Sequence, residues 1–403
     1  MNVLILTCNT GSGHNSAAAA IAAELDLRGI PHTTKNALEF VPKAEEEGIV
    51  RGFDLFYKYA PEVFGAGYRF SESHDASALY AHFALFAPAL QRFLNAHDFT
   101  CIVCTHVFPA LMCTRLRHRY NLPINQFFVA TDYTCSPSVN LLEMDGVFIP
   151  KGLRAEFLFQ GMADDVLKET GIPVKRACYE SVTKEFAREE LRGELVMTPD
   201  EKIVLLAPRC LEYAEITDVA LPVLERVPDA RFVVLCGKGY ESQRRALAQL
   251  QNPRLVPLGL TKRMPLWMKA ADVLITKPAG LTVSEAASSG VPMLLIDSKP
   301  GLETHNKDYL VNHGCANTST GLAAVYTDLI RLLEDDKARA GMRAAQRKYF
   351  GTVAVAELVD ELERQDALRA ARTAEAQTAT TVEDDGLDDD YLGFNESDGF
   401  NLF

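Results

Sequence analysis

Strand-length apolar runs alternate with helix-length segments along this chain, and the alternation occurs twice. Such runs at 2–8, 100–105, 124–130 and 146–149, with a further strand expected near 32–36, mark the first half, and runs at 203–208, 232–237, 255–257, 273–276 and 293–296 mark the second. Apolar strands separated by helices belong to a parallel sheet covered on both faces. Two such series of similar size, without sequence repetition, predict two doubly wound α/β halves. At 403 residues the chain is too long for one compact core and suits two domains. The halves are expected at 1–195 and 196–335, with the polar stretch 196–202, which holds Pro199, as the linker. One helix over 336–374 is long enough to pack on both. Doubly wound sheets bind ligands beyond the carboxyl ends of their strands, so two facing halves enclose a cleft.

The net charge of −13 is concentrated at the end of the chain. Residues 375–403 carry nine acids and no base, leaving −4 for the body. This excludes a polyanionic nucleic acid as the expected partner. The tail is too polar to fold by itself and is expected to be disordered. No apolar run approaches the roughly 20 residues of a membrane-spanning helix, and the chain opens on a core strand rather than a secretion signal. Both point to the cytoplasm. Nine cysteines, scattered except for Cys101 and Cys104, read as reduced thiols. A strand would send that pair to opposite or staggered positions, and no second pair follows, so no metal is expected.

Gly11-Ser12-Gly13-His14 lies where the first strand turns into an alanine-rich helix expected over 16–28. Glycines there let the backbone approach a ligand, and the helix start supplies free amides and partial positive charge. A dinucleotide fingerprint wants a glycine at Ser16 and an acid at Asn36, so a nicotinamide cofactor is not expected. His14, at the mouth of the cleft, is placed to take a proton from a hydroxyl. In the second half, Gly280-Leu281-Thr282-Val283-Ser284-Glu285 joins a strand end to a helix start. The amides there suit a phosphate, and Glu285 either accepts from two neighbouring hydroxyls or only complements the helix dipole.

These segments together resemble the monogalactosyldiacylglycerol synthase and processive diacylglycerol glucosyltransferase family. Further landmarks are Thr131-Asp132-Tyr133 with Ser136-Pro137-Ser138, Thr170-Gly171-Ile172-Pro173-Val174, Gly290-Val291-Pro292, Pro300-Gly301 with Glu303 and Asn306, and Asn312-His313-Gly314. The run 280–285 is also similar to that of the peptidoglycan lipid-linked N-acetylglucosamine transferase. The resemblance covers roughly residues 1–350. It implies a GT-B fold, in which two Rossmann-like domains face each other across a cleft and a C-terminal helix bridges both. It also implies a UDP-sugar donor, inverting transfer to a lipid hydroxyl, and no cofactor or required metal. Carried over, Gly11 and Gly13 shape the first loop, His14 is the base, and Asp132 is its rival or its orienting partner. Glu285 holds the ribose; Gly280, Leu281 and Thr282 face the diphosphate; Leu260, Thr261 and Met264 border the uracil; Glu303 and Asn306 read the sugar.

The sequence departs from that family in two places. Leu302 stands where a glutamine is usual, and the first loop of the donor half reads Ala207-Pro208-Arg209-Cys210 instead of a glycine-rich run. Arg209 is either a charged contact to the diphosphate or an ordinary surface arginine. Eleven aromatics fall in the 41 residues from Phe53 to Phe93, where an even spread would place about four. They either engage a bilayer on the inner face of the membrane or fill the first core. Transfer to a soluble or polyprenyl acceptor, and a silent nucleotide-sugar sensor, stand as the alternatives.

Overall fold

The structure, a computed structural model, describes residues 1–10, 12–59, 77–120, 122–237, 239–296 and 301–384, with backbone alone for Ser12, 53–59, Ser77 and 376–384. The first half runs β1 (Val3–Thr7), α1 (Ser12–Leu27), β2 (His32–Asn36), α2 (Lys43–Tyr59), α3 (Ser77–Ala84), α4 (Ala87–Asn95), β3 (Cys101–Cys104), α5 (Val107–Tyr120), β4 (Asn125–Val129), β5 (Gly146–Phe148), α6 (Arg154–Phe159) and β6 (Leu167–Lys168). Its six strands are parallel in the order β2-β1-β3-β4-β5-β6. The second half runs α7 (Lys184–Glu190), β7 (Lys202–Leu206), α8 (Tyr213–Arg226), β8 (Ala230–Leu235), α9 (Glu241–Gln249), β9 (Leu255–Leu258), α10 (Met264–Ala270), β10 (Val273–Thr276), α11 (Gly280–Ser289), β11 (Met293–Ile296), α12 (Leu302–Asn312), β12 (Asn317–Ser319) and α13 (Leu322–Glu334). Its sheet is also parallel, ordered β12-β11-β10-β7-β8-β9. Both orders reverse direction once, between β1 and β3 and between β7 and β10, and those reversals open the crevices where doubly wound sheets bind ligands.

Burial follows the sequence logic. All five residues of β1 are buried, as the apolar run requires for a strand covered on both faces. Alternation on β3 sends Cys101 and Cys104 into different cores on opposite faces of the sheet, the divergence expected of that pair. Gly290 ends α11 in the left-handed conformation, with φ of 73°, that a glycine adopts without a Cβ clash.

Three expectations are corrected. The switch between halves falls near 170, not 196, because Ile172, Val174, Cys178, Ala187 and Leu191 pack in the second core. The polar stretch 196–202 is a loop that runs into the first residue of β7, inside the second half. The single helix expected over 336–374 is two: α14 (Asp336–Phe350) and α15 (Ala354–Asp384), broken at 351–353. Helix α14 packs on α11 and α15 on α1. Val355, Leu358, Val359 and Leu362 of α15 are buried against Val3, Ile5, Ala18 and Ile21. Each such side chain contributes about 1.5–3 kcal/mol when fully buried, so together they rival the roughly 5–15 kcal/mol stability of a typical domain. Helix α15 also runs through to Asp384, into the segment expected to be disordered; residues 385–403 lie outside the described residues.

Within the aromatic-rich region, the described rings Tyr80, Phe83, Phe86 and Phe93 all pack in the first core. Phe83 stacks on Phe108 with ring centroids 3.9 Å apart. The side chains of Phe53, Phe56, Tyr57, Tyr59, Phe64, Tyr68 and Phe70 lie outside the described residues. No helix among the described residues is long and apolar enough to cross a membrane.

Candidate active site

Helix α1 begins four residues earlier than expected, which places Gly13 and His14 in its first turn at the end of β1. Gly11 lies outside the described residues. The His14 ring is half-buried, and its Nδ1 lies 2.8 Å from the Thr105 carbonyl oxygen, at the end of β3. A carbonyl only accepts, so Nδ1 carries the proton and Nε2 is left as the basic nitrogen. The Thr131 hydroxyl lies 3.1 Å from the same Nδ1. Burial pushes His14 down to about 4, opposed by the bond to Thr105, so the ring is neutral near pH 7. The contacts on the His14 ring nitrogen are thus those of Thr105 and Thr131. Asp132 instead accepts from Asn306 at 2.8 Å. Burial pushes it up to about 6, offset by that bond and reinforced by the charge of Glu303.

His106, which nothing in the sequence pattern singled out, packs edge-on against His14 with centroids 4.4 Å apart. Its Nδ1 accepts the Phe108 N–H at 3.1 Å, so its Nε2 donates to the Thr10 hydroxyl at 3.2 Å. Both nitrogens are occupied by the protein. The only sequence signal for it was position: it follows the strand next to β1 at the first reversal.

From the second half, α11 points its first turn at the same place. A Cβ built on Gly13 would lie 3.5 Å from Leu281 Cδ2, so these two sites meet across the cleft. Gly280 and Leu281 are buried, and Thr282 and Glu285 are half-buried. Burial raises Glu285, against the pull of Lys175. No hydrogen bond engages its carboxylate among the described residues. Arg209, exposed after β7, holds φ of 61°, the left-handed region that favours glycine. The loop thus keeps a glycine conformation with an arginine in it. Lys277, after β10, is half-buried at the other side of the same reversal. Neither cation makes an ion pair among the described residues.

The remaining expected residues divide. Leu260 is 72% exposed after β9, an apolar side chain open to a ligand. The Thr261 hydroxyl accepts the Arg263 N–H at 3.0 Å, and Met264 opens α10 and packs on the core. Glu303 is buried on the first turn of α12. Asn306 is 1% exposed, and both its amide hydrogens are committed, to Asp132 and to the Pro278 carbonyl at 3.0 Å.

Residues 14–174 match the family described as monogalactosyldiacylglycerol (MGDG) synthase, and residues 210–349 match the glycosyltransferase family 28 C-terminal domain. The chain carries a domain of each kind, in that order. Among its relatives are two processive diacylglycerol β-glucosyltransferases. That of Staphylococcus carnosus is 25% identical over 84% of this chain and 86% of the relative. That of Bacillus licheniformis is 26% identical over 83% and 88%. Solved structures share the fold. MurG of Acinetobacter baumannii aligns with a TM-score of 0.60 at 14% identity, covering 90% of this chain and 99% of that one. Anabaena HepE, in complex with UDP and glucose, aligns at 0.53 and 15%, with the same coverage. The two sheets and their facing crevices are those of the GT-B fold. The monogalactosyldiacylglycerol synthase match begins at His14 itself and includes Thr131 to Tyr133, whereas the second match begins just past Arg209.

Proposed function

We propose that this protein transfers a hexose from a UDP-sugar to the hydroxyl of a diacylglycerol-like lipid, with inversion at the anomeric carbon. The observation that carries the reading is His14, a neutral imidazole whose Nδ1–H is fixed by Thr105, leaving Nε2 as a base, next to Gly13, which meets Leu281 of the donor half. The acceptor oxygen attacks the anomeric carbon, its proton passes to His14 Nε2, and the bond to the β-phosphate breaks, releasing UDP. Glu285 accepts from the ribose hydroxyls. The first turn of α11, with Arg209 and Lys277, balances the charge that develops on the leaving diphosphate. Leu260 covers the uracil, and Glu303 addresses the sugar. The names of the relatives support the lipid acceptor, and docking at the inner face of the membrane follows from that acceptor.

The test is an incubation with diacylglycerol in mixed micelles and UDP-glucose, UDP-galactose or UDP-N-acetylglucosamine in turn. Mass spectrometry should find one glycosylated diacylglycerol, and that donor should raise the melting temperature by mass action. If no donor stabilises the protein and no glycolipid forms, the reading fails.

A further inference from the structure

The loop that follows β4 touches both the base and the donor half. Thr131, its second residue, brings a hydroxyl to 3.1 Å from His14 Nδ1. Its next two residues are held by the second half. The Tyr133 N–H donates to Asn306 Oδ1 at 2.7 Å, and Asn306 Nδ2 donates to Asp132 Oδ1 and to the Pro278 carbonyl. Because Oδ1 accepts from a backbone N–H, the orientation of the amide is fixed. Ser284 Oγ donates to the Gly280 carbonyl at 2.6 Å, so the Tyr133 hydroxyl donates to Ser284 Oγ at 2.5 Å. The Tyr133 ring stacks on Tyr309, one turn beyond Asn306 on α12, with centroids 4.5 Å apart. Three consecutive residues thus run from the base to two helices, α11 and α12, that carry the donor site.

We infer that Asn306 is a positioning residue: bridging Pro278 to Asp132 and Tyr133, it makes the alignment of His14 by Thr131 depend on the donor half being docked. The inference rests on His14 as the base. A buried amide whose donors and acceptor all engage the interface contributes little to a sugar in solvent, but its loss leaves Asp132 and the Tyr133 N–H unpaired inside it. The loop then has no reason to hold Thr131 against His14. Proton abstraction tolerates such displacement poorly, since a misplacement of about 1 Å can cost about a hundredfold in rate.

The experiment compares Asn306→Ala, Tyr133→Phe, His14→Ala and Asn306→Ala/His14→Ala, with kinetics using the UDP-hexose that supports turnover and calorimetry with UDP. Asn306→Ala should lower kcat by about ten- to a hundredfold while UDP affinity and donor KM move by less than about threefold. Tyr133→Phe keeps the ring stack and deletes the bond to Ser284, so it should shift kcat in the same direction by a smaller factor. It serves as the test should Asn306→Ala not fold. With His14 already removed, Asn306→Ala should cost little more, because both act on one step. Multiplying losses in the double variant, or a rise in donor KM with kcat preserved, would overturn the inference and make Asn306 a sugar contact. If His14→Ala alone retains turnover, the base assignment fails first, and the inference falls with it.

Discussion

A β-carbon on Gly280 would fall 2.8 Å from Asp132 Oδ1 and still closer to the Thr131 carbonyl oxygen. The donor-half glycine is therefore required by the other half of the protein. Gly280→Ala forces either the loop or the whole second half to move, and overpacking of this kind costs about 1–3 kcal/mol. The melting temperature should fall and turnover should fall with it. An alanine variant that melts and turns over like the parent would contradict the close approach.

The pH profile separates the two candidate bases. A base works deprotonated, so kcat/KM falls as pH drops through its pKa in the free enzyme. Burial holds His14 at about 4 and Asp132 at about 6. With His14 as the base, activity persists well below pH 6, and Asp132→Asn does not move the acid limb. With Asp132 as the base, activity is halved near pH 6. The stability of Asp132→Asn has a sign as well. The raised pKa means the fold disfavours the ionised carboxylate, a penalty absent below about 3.8 and complete above about 6. The substitution should therefore be better tolerated at pH 7 than at pH 3, as thermal unfolding at both values will show.

Glu285→Ala should weaken UDP binding by about 2–4 kcal/mol, the loss of two charge-assisted bonds. Its carboxylate is raised by burial and has no hydrogen-bond partner among the described residues, so melting without ligand should hold or improve. Unchanged UDP affinity by calorimetry would remove Glu285 from the ribose.

Arg209→Gly sets two effects against each other. Glycine takes a φ of 61° without strain, which should stabilise the protein by several tenths of a kcal/mol up to about 1. Losing the guanidinium should weaken UDP about tenfold and UMP much less, if it meets the β-phosphate. Equal effects on both nucleotides would return Arg209 to the surface.

Strands dominated by burial were legible from sequence. β10 and β11 fall on the expected residues, because continuous apolar runs leave little freedom of placement. The edge strands β6 and β12, two and three residues long, carry no period to read. The boundary was misplaced for a physical reason. Pro199 and its polar neighbours mark a surface loop, whereas the true passage at Gly171-Ile172-Pro173 is apolar because Ile172 is buried. His14 was visible from its place after β1. Neither the contact of His106 with His14 nor the embrace of Asn306 by Asp132 and Tyr133 was, since both join residues far apart in the chain.

Helix α15 completes the first sheet's core from the far end of the chain, which makes the second half an insertion within the first. On the ribosome, Val3, Ile5, Ala18 and Ile21 wait for Val355, Leu358, Val359 and Leu362, which emerge only after the whole second half. The donor half has all its strands before then and is free to fold first, reversing the usual order of synthesis. A nascent chain stalled once α14 has left the ribosome, with α15 still inside it, should therefore protect the second half from protease while the first is still cut.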